Sequence, residues 1–232
     1  MLKLIRRWQR TILDFVVSRH PKLGLDRRAE DFVALFENDL PRQSRVLDIG
    51  GGWGFYRQPL VSRGHECLVL DVVRPTLQKC PVVIYDGDVM PFPDKSFDVS
   101  LFITVLHHIA DVEDILRECR RVTRRRVVVV EDLYHHFWGR QWTVLRDQLY
   151  NFEFFGHPQQ FRKKAEWIEL FESQGFKLVK ETQVYTWLSG LRILNGVFVF
   201  EVGPEPEGTN ERNGYDRSGN AGRSPSPVGS GA

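Results

Sequence analysis

The sequence is poor in cysteine, in net charge and in long apolar runs. Its three cysteines, Cys67, Cys80 and Cys119, are odd in number and share no metal-type spacing. That argues against a disulfide framework or a cysteine-held zinc site, and it predicts a reducing, cytoplasmic compartment. A net charge of +2 on 232 residues lacks the basic excess of a dedicated nucleic-acid binder. No apolar run reaches the roughly 20 residues that span a bilayer. The first residues also lack the continuous apolar core of a secretory signal.

What is present suits one α/β domain with additions. Leu2, Ile5, Trp8, Ile12, Phe15 and Val16 recur at helical spacing, with Lys3, Arg6, Arg7 and Arg10 on the other face. This predicts an amphipathic helix over 1–20, ended by Pro21. Three readings are open for it: a lid over a ligand, a basic helix on a membrane surface, or an Arg-rich transit segment. A second helix is expected at about 27–40. Short apolar strands follow at Arg45–Ile49, Glu66–Asp71, Val82–Tyr85, Phe97–Ile103 and Arg126–Val130, with a helix at 111–122. Strands alternating with helices imply a parallel sheet covered on both faces. Arg124–Arg126 reads as a solvated turn entering the fifth strand. The segment 133–161 is crowded with aromatics, Ala165–Gln174 reads as a helix capped by Gly175, and 176–184 and 193–202 read as two last strands. Residues 203–232 are rich in Gly, Pro and Ser and read as a disordered tail. The division expected is 1–40, 41–202 and 203–232.

The strongest signal is Val46-Leu47-Asp48-Ile49-Gly50-Gly51-Gly52-Trp53-Gly54. A buried strand runs into a glycine turn, with a helix expected from about Phe55. Glycines there permit positive φ and close approach of a ligand. The place is the carboxyl end of the first strand, where open α/β sheets bind ligands. Dinucleotide sites use G-x-G-x-x-G with a helix N-terminus on a pyrophosphate. Here Asp48 stands two residues before the first glycine, where its charge would repel a pyrophosphate. It suits a ligand with a cationic end, such as S-adenosylmethionine (SAM). Asp71, at the end of the second strand, is placed to bond ribose hydroxyls. Asp88, with Asp86 as the competing candidate, follows the third strand and can accept from an adenine amino group. Val89 and Met90 are candidates to pack on the purine. Phe102 and Thr104, at the end of the fourth strand, would lie beside the methionine moiety. The cofactor-binding set is thus Asp48, Gly50, Gly52, Gly54, Asp71, Asp88, Val89, Phe102 and Thr104.

Together these residues resemble the class I SAM-dependent methyltransferases of the type 11 group. The likeness runs over about 44–132 and more loosely to 202. Val46–Gly54 is similar to that family's first motif and Leu68–Asp71 to its second. Gly87–Val99 is similar to the stretch between the adenine contact and the fourth strand, and Val105–Asp111 to the motif after it. The resemblance implies a Rossmann-like sheet of seven strands, mostly parallel with an antiparallel last strand, and SAM as cofactor. It leaves the acceptor open.

Methyl transfer needs alignment of a nucleophile with the sulfonium, and a base if the acceptor must lose a proton. His107 is the first candidate for that base, against a role in simply lining the pocket. Glu131 and Asp132 are second. The resemblance implies packing for His108. His135, His136 and His157 read as solvated or packed residues, and no metal site is expected. The aromatics of 133–161, among them Trp138, Trp142, Tyr150 and Phe161, read either as a substrate cap or as a second small core. The expected partner is a hydrophobic or aromatic small molecule, methylated on oxygen or carbon. Nucleic acid is not expected, and peripheral membrane contact would run through 1–20. A catalytically silent SAM-binding scaffold and a protein methyltransferase are the alternatives.

Overall fold

The computed structural model describes residues 24–75, 80–151, 158–188 and 191–203. The expected helix over 1–20, the tail from 204 onward, His157 and the side chain of Tyr150 lie outside the described residues.

The first helix, α1, spans Leu25–Phe36 and runs into a 3-10 turn at Glu37–Asp39. Then come β1 (Arg45–Ile49), α2 (Arg57–Ser62), β2 (Glu66–Asp71), β3 (Val82–Ile84) and β4 (Phe97–Ile103). A 3-10 turn at Leu106–His108 leads to α3 (Val112–Val122) and β5 (Thr123–Asp132). Last are α4 (Phe137–Asn151), α5 (Lys164–Ser173), β6 (Phe176–Leu188) and β7 (Leu191–Val202). The strands form one seven-stranded sheet in the order β3-β2-β1-β4-β5-β7-β6. Pairing is parallel from β3 to β5, and β7 is antiparallel to both its neighbours. The order reverses between β1 and β4, which opens the ligand crevice of doubly wound sheets at that point.

Period-two alternation sorts the side chains between two cores. Leu47, Ile49, Phe102, Val127, Val129, Phe198 and Phe200 face α3 and α5. Val46, Leu101, Ile103, Val128, Val130 and Val199 face α1 and Leu60 of α2. Phe32, Val33 and Phe36 of α1 are fully buried there, so this helix is part of the sheet's covering layer.

Three boundaries differ from the sequence reading. The strand β5 starts at Thr123, so Arg124–Arg126 lie in the strand rather than in a turn. Their charges are met by neighbouring strands, Arg124 by Asp98 at 3.5 Å and Arg126 by Glu201 at 3.9 Å. The strand β6 continues to Leu188, paired with β7 throughout apart from a bulge between Leu178 and Lys180. Helix α2 begins two residues later than expected, after a run of turns through the glycines.

Helix α4 is the larger surprise. Its apolar residues point outward: Trp138 is 76% exposed and Trp142 53%. Thr143, Arg146 and Asp147 form its buried side. The described aromatics Phe137, Trp138 and Trp142 of α4 therefore form no buried second core. Among the described aromatics of this segment, Phe161, beyond the helix, is the one that is buried. No described helix is long and apolar enough to cross a membrane.

Phe171 of α5 stacks on Phe200 of β7 with ring centroids 4.4 Å apart, both fully buried. Phe171→Ala should cost about 3–5 kcal/mol of unfolding free energy through the cavity it leaves. Urea titration checks this, and a loss below about 1 kcal/mol would show that the layer between α5 and β7 repacks freely.

Candidate functional site

The carboxyl ends of β1 to β5 bring the candidate residues together. The chain leaves β1 at Gly50, whose N–H donates to Leu70 O at 2.7 Å. Gly50, Gly52 and Gly54 all have positive φ, which side chains other than glycine rarely adopt. Their surroundings differ. A Cβ on Gly50 would lie 2.4 Å from Val105 Cγ2, and one on Gly54 would lie 2.3 Å from Cys80 Sγ. Packing thus demands glycine at both ends of the turn. At Gly52 the nearest atom would be Asp71 Oδ2, at 4.0 Å, which leaves this residue facing open space.

Asp71 holds the loop in place. Its Oδ2 accepts from Gly52 N–H at 2.9 Å and its Oδ1 from Val73 N–H at 2.9 Å. Each oxygen keeps a second lone pair. Asp48 lies beneath the loop, 1% exposed, and neither of its oxygens has a hydrogen-bond partner among the described residues. Burial, helped by the charge of Asp71, raises its pKa to about 7. Gly51 was not singled out by sequence. A Cβ there would meet Asp48 Oδ2 at 2.3 Å, so the third glycine of the run exists to let the loop close over the acid.

At the end of β3, Asp86 Oδ1 accepts from Asp88 N–H at 3.1 Å, and both residues are exposed. Val89 is 65% exposed, but Met90 is 1% exposed and its N–H donates to Glu118 at 2.8 Å. Met90 belongs to the core and not to a purine face. Phe102 is likewise fully buried among the helix-facing residues, so its side chain does not border the crevice. Thr104 does lie there, with φ +50°, a strained conformation for a β-branched residue. Its N–H donates to Val130 O at 2.7 Å.

Beyond Thr104, Glu131 organises the next turn. Its Oε1 accepts from the N–H groups of Val105 (3.0 Å) and Leu106 (2.7 Å), and its Oε2 meets His107 Nδ1 at 2.6 Å. His107 is 1% exposed, stacks on Phe161 at 4.3 Å, and faces Asp147 Oδ1 across 3.5 Å. Burial alone would lower its pKa. The charge of Glu131, with the hydrogen bond and charge of Asp147, outweighs burial and raises it to about 10. The ring's Nδ1 is taken by Glu131 and its Nε2 is turned to Asp147, so neither ring nitrogen faces the crevice as a free proton acceptor. The geometry therefore argues against His107 as general base, and Glu131 is engaged with it. Asp132 is bound by Arg146 and by the Asn195 side chain. His135 and His136 are exposed. Asp147, which sequence reasoning missed, lies far along the chain on a helix whose pattern gave no cue to its buried polar side.

The residues at the glycine loop fit SAM. A buried, unpartnered acid under the loop suits a cationic group, Asp71 has lone pairs for hydroxyls, and Gly52 is open.

Residues 47–130 match a family model described as a methyltransferase domain, which bears out the resemblance read in that stretch and implies SAM as cofactor. Over 165 residues the chain is 30% identical to a chloroplastic 2-methyl-6-phytyl-1,4-hydroquinone methyltransferase of Oryza sativa, covering 65% of this chain and 44% of that one. Over 91 residues it is 33% identical to a demethylmenaquinone methyltransferase of Corynebacterium efficiens, covering 37% of this chain and 40% of that one. The chain thus spans less than half the length of these two relatives. A SAM-dependent methyltransferase of Thermotoga maritima shares the fold, with TM-score 0.59, 18% identity, and coverage of 83% of this chain and 99% of that one.

The raised pKa of Asp48 has a definite sign for stability. Its folded value, about 7, lies above the ordinary 3.8, so its contribution is intact below about 4 and is lost as pH rises through 7. Asp48→Asn should therefore stabilise the ligand-free protein at pH 8 by a few kcal/mol, at about 1.4 kcal/mol per pKa unit. The gain should shrink as pH falls towards 4. Denaturant unfolding of both proteins across this range checks it, and a pH-independent difference would refute the assignment.

Proposed function

We propose that the chain binds SAM at the glycine loop and transfers its methyl group to a small hydrophobic or aromatic acceptor, on oxygen or carbon. The buried, unpartnered Asp48 carboxylate under the loop carries this reading most directly. When bound, SAM supplies an electrophilic methyl on a positive sulfur. Asp48 and Asp71 offset positive charge at the loop, and Asp71 holds the ribose hydroxyls through its second lone pairs. Asp88 or Asp86 takes the adenine amino group, and Val89 packs on the purine. Gly50, Gly52 and Gly54 keep the backbone close, and Thr104 borders the methyl-donor end. Positioning of this kind is worth up to roughly 7–11 kcal/mol of barrier.

With His107 and Glu131 bound to each other, the reading favours an acceptor that ionises easily. Phenols, hydroquinones and activated carbons do so. Two relatives are named for a phytyl hydroquinone and a demethylmenaquinone, and the class that they share, a hydrophobic ring, is the one proposed here. The engagement of His107 also favours one alternative, a SAM-binding partner protein without turnover.

Calorimetry should show micromolar binding of SAM and S-adenosylhomocysteine, and none of NAD. Asp71→Asn should weaken SAM binding by roughly 1.5–3 kcal/mol, the value of charge-assisted hydrogen bonds. Formation of S-adenosylhomocysteine with any member of a panel of phenols and hydroquinones would establish transfer. SAM binding without turnover would favour the partner reading, and no SAM binding would overturn both.

A further inference from the structure

Helix α4 turns its polar side inward, and what that side meets is a pair of histidines. Asp147 Oδ1 lies 3.5 Å from His107 Nε2, and Asp147 Oδ2 lies 3.7 Å from His108 Nε2. One donor atom from each of the three residues falls within 4.8 Å of the others. These separations are long for a charge-assisted hydrogen bond, whose N–H···O distance is about 2.7–2.9 Å. They match donors that share a metal. Two ligands held about 2.1 Å from a tetrahedral ion stand about 3.4 Å apart.

The surroundings are those of a metal-bound imidazole. Glu131 takes His107 Nδ1 at 2.6 Å, which fixes the ring and turns Nε2 towards Asp147. A carboxylate on the far nitrogen of a histidine ligand is the usual outer support of such a site. His107 Nε2 is buried, and it meets Asp147 Oδ1 only across 3.5 Å. Phe161 stacks on the ring, and Gln160 straps the segment down, its N–H donating to His107 O at 2.9 Å and its side chain to Ala110 O at 2.8 Å. The side chain of His108 is 20% exposed, so the cluster is open to solvent on one side.

We propose that His107 Nε2, His108 Nε2 and the Asp147 carboxylate form a binding site for one divalent transition-metal ion. Two imidazoles and a carboxylate suit zinc, cobalt, iron or manganese and leave at least one coordination position for water or another oxygen ligand. The ion would join α4 to the turn after β4. The site stands whether or not the chain transfers methyl groups.

Calorimetric titration of the full chain, stripped with a chelator, with zinc sulfate should give saturable 1:1 binding in the micromolar range or tighter. Asp147→Asn and His108→Asn should each weaken it at least 10-fold, while the double variant His135→Gln/His136→Gln should leave it unchanged. Cobalt(II) should give visible d–d absorption that the first two variants remove. His108→Asn, at a partly exposed position, keeps the test decisive if Asp147→Asn fails to fold. Absence of saturable binding would overturn the site. So would affinity unaffected by His108→Asn, or affinity lost only in the His135/His136 double variant.

Discussion

One buried carboxylate organises the end of the sheet where the candidate site lies. Glu131 closes β5 and collects two backbone N–H groups and a histidine ring from the turn after β4. Without it these donors would be buried and unpaired, at about 1–3 kcal/mol each. With it, Val105 is fixed, and Val105 is the residue that abuts Gly50. The glycine loop on one side and the histidine pair on the other are therefore set by a single acid on the neighbouring strand. That acid follows a run of four valines, Val127–Val130, that is buried on both sheet faces.

Much of this was legible from the residues. The bounds of β1, β2 and β4 were read correctly because each is a short apolar run between turn residues, and such runs have no competing pattern. The positions of Asp48, Asp71 and the glycines followed from their place at strand ends. The arginines of β5 were misjudged because charge was taken to mean a turn, whereas an outward-facing strand position accepts arginine when neighbouring strands carry acids. Helix α4 misled for the opposite reason. Its aromatics suggested burial, yet its Thr143, Arg146 and Asp147 are the inward residues. Hydrophobic pattern ranks faces by apolarity and is blind to a charged core that attracts a polar face. The role of His107 was hidden likewise. Its environment is made by Glu131, Asp147 and Phe161, from three separate parts of the chain.

The site's electrostatics fall into two zones. Around the loop, Asp48 and Asp71 are acids with spare acceptor capacity, and Asp48 is held partly neutral by burial. Around the turn, Glu131 and Asp147 enclose His107. The first zone lacks a positive group that a ligand can supply. The second has Asp147 standing 3.5 Å and 3.7 Å from two imidazole nitrogens, farther than a short charge-assisted hydrogen bond. Both zones are thus suited to cations, an organic one at the loop and an inorganic one at the turn.

The contact between Val105 and Gly50 has a mechanical meaning. A Cβ at Gly50 would overlap Val105 Cγ2, so loop and turn share one small volume with no slack. The loop cannot shift towards β4 unless the turn yields, and the turn is pinned by Glu131. The two zones therefore behave as a single lever with its pivot at residue 105, and stiffness imposed at either end is felt at the other.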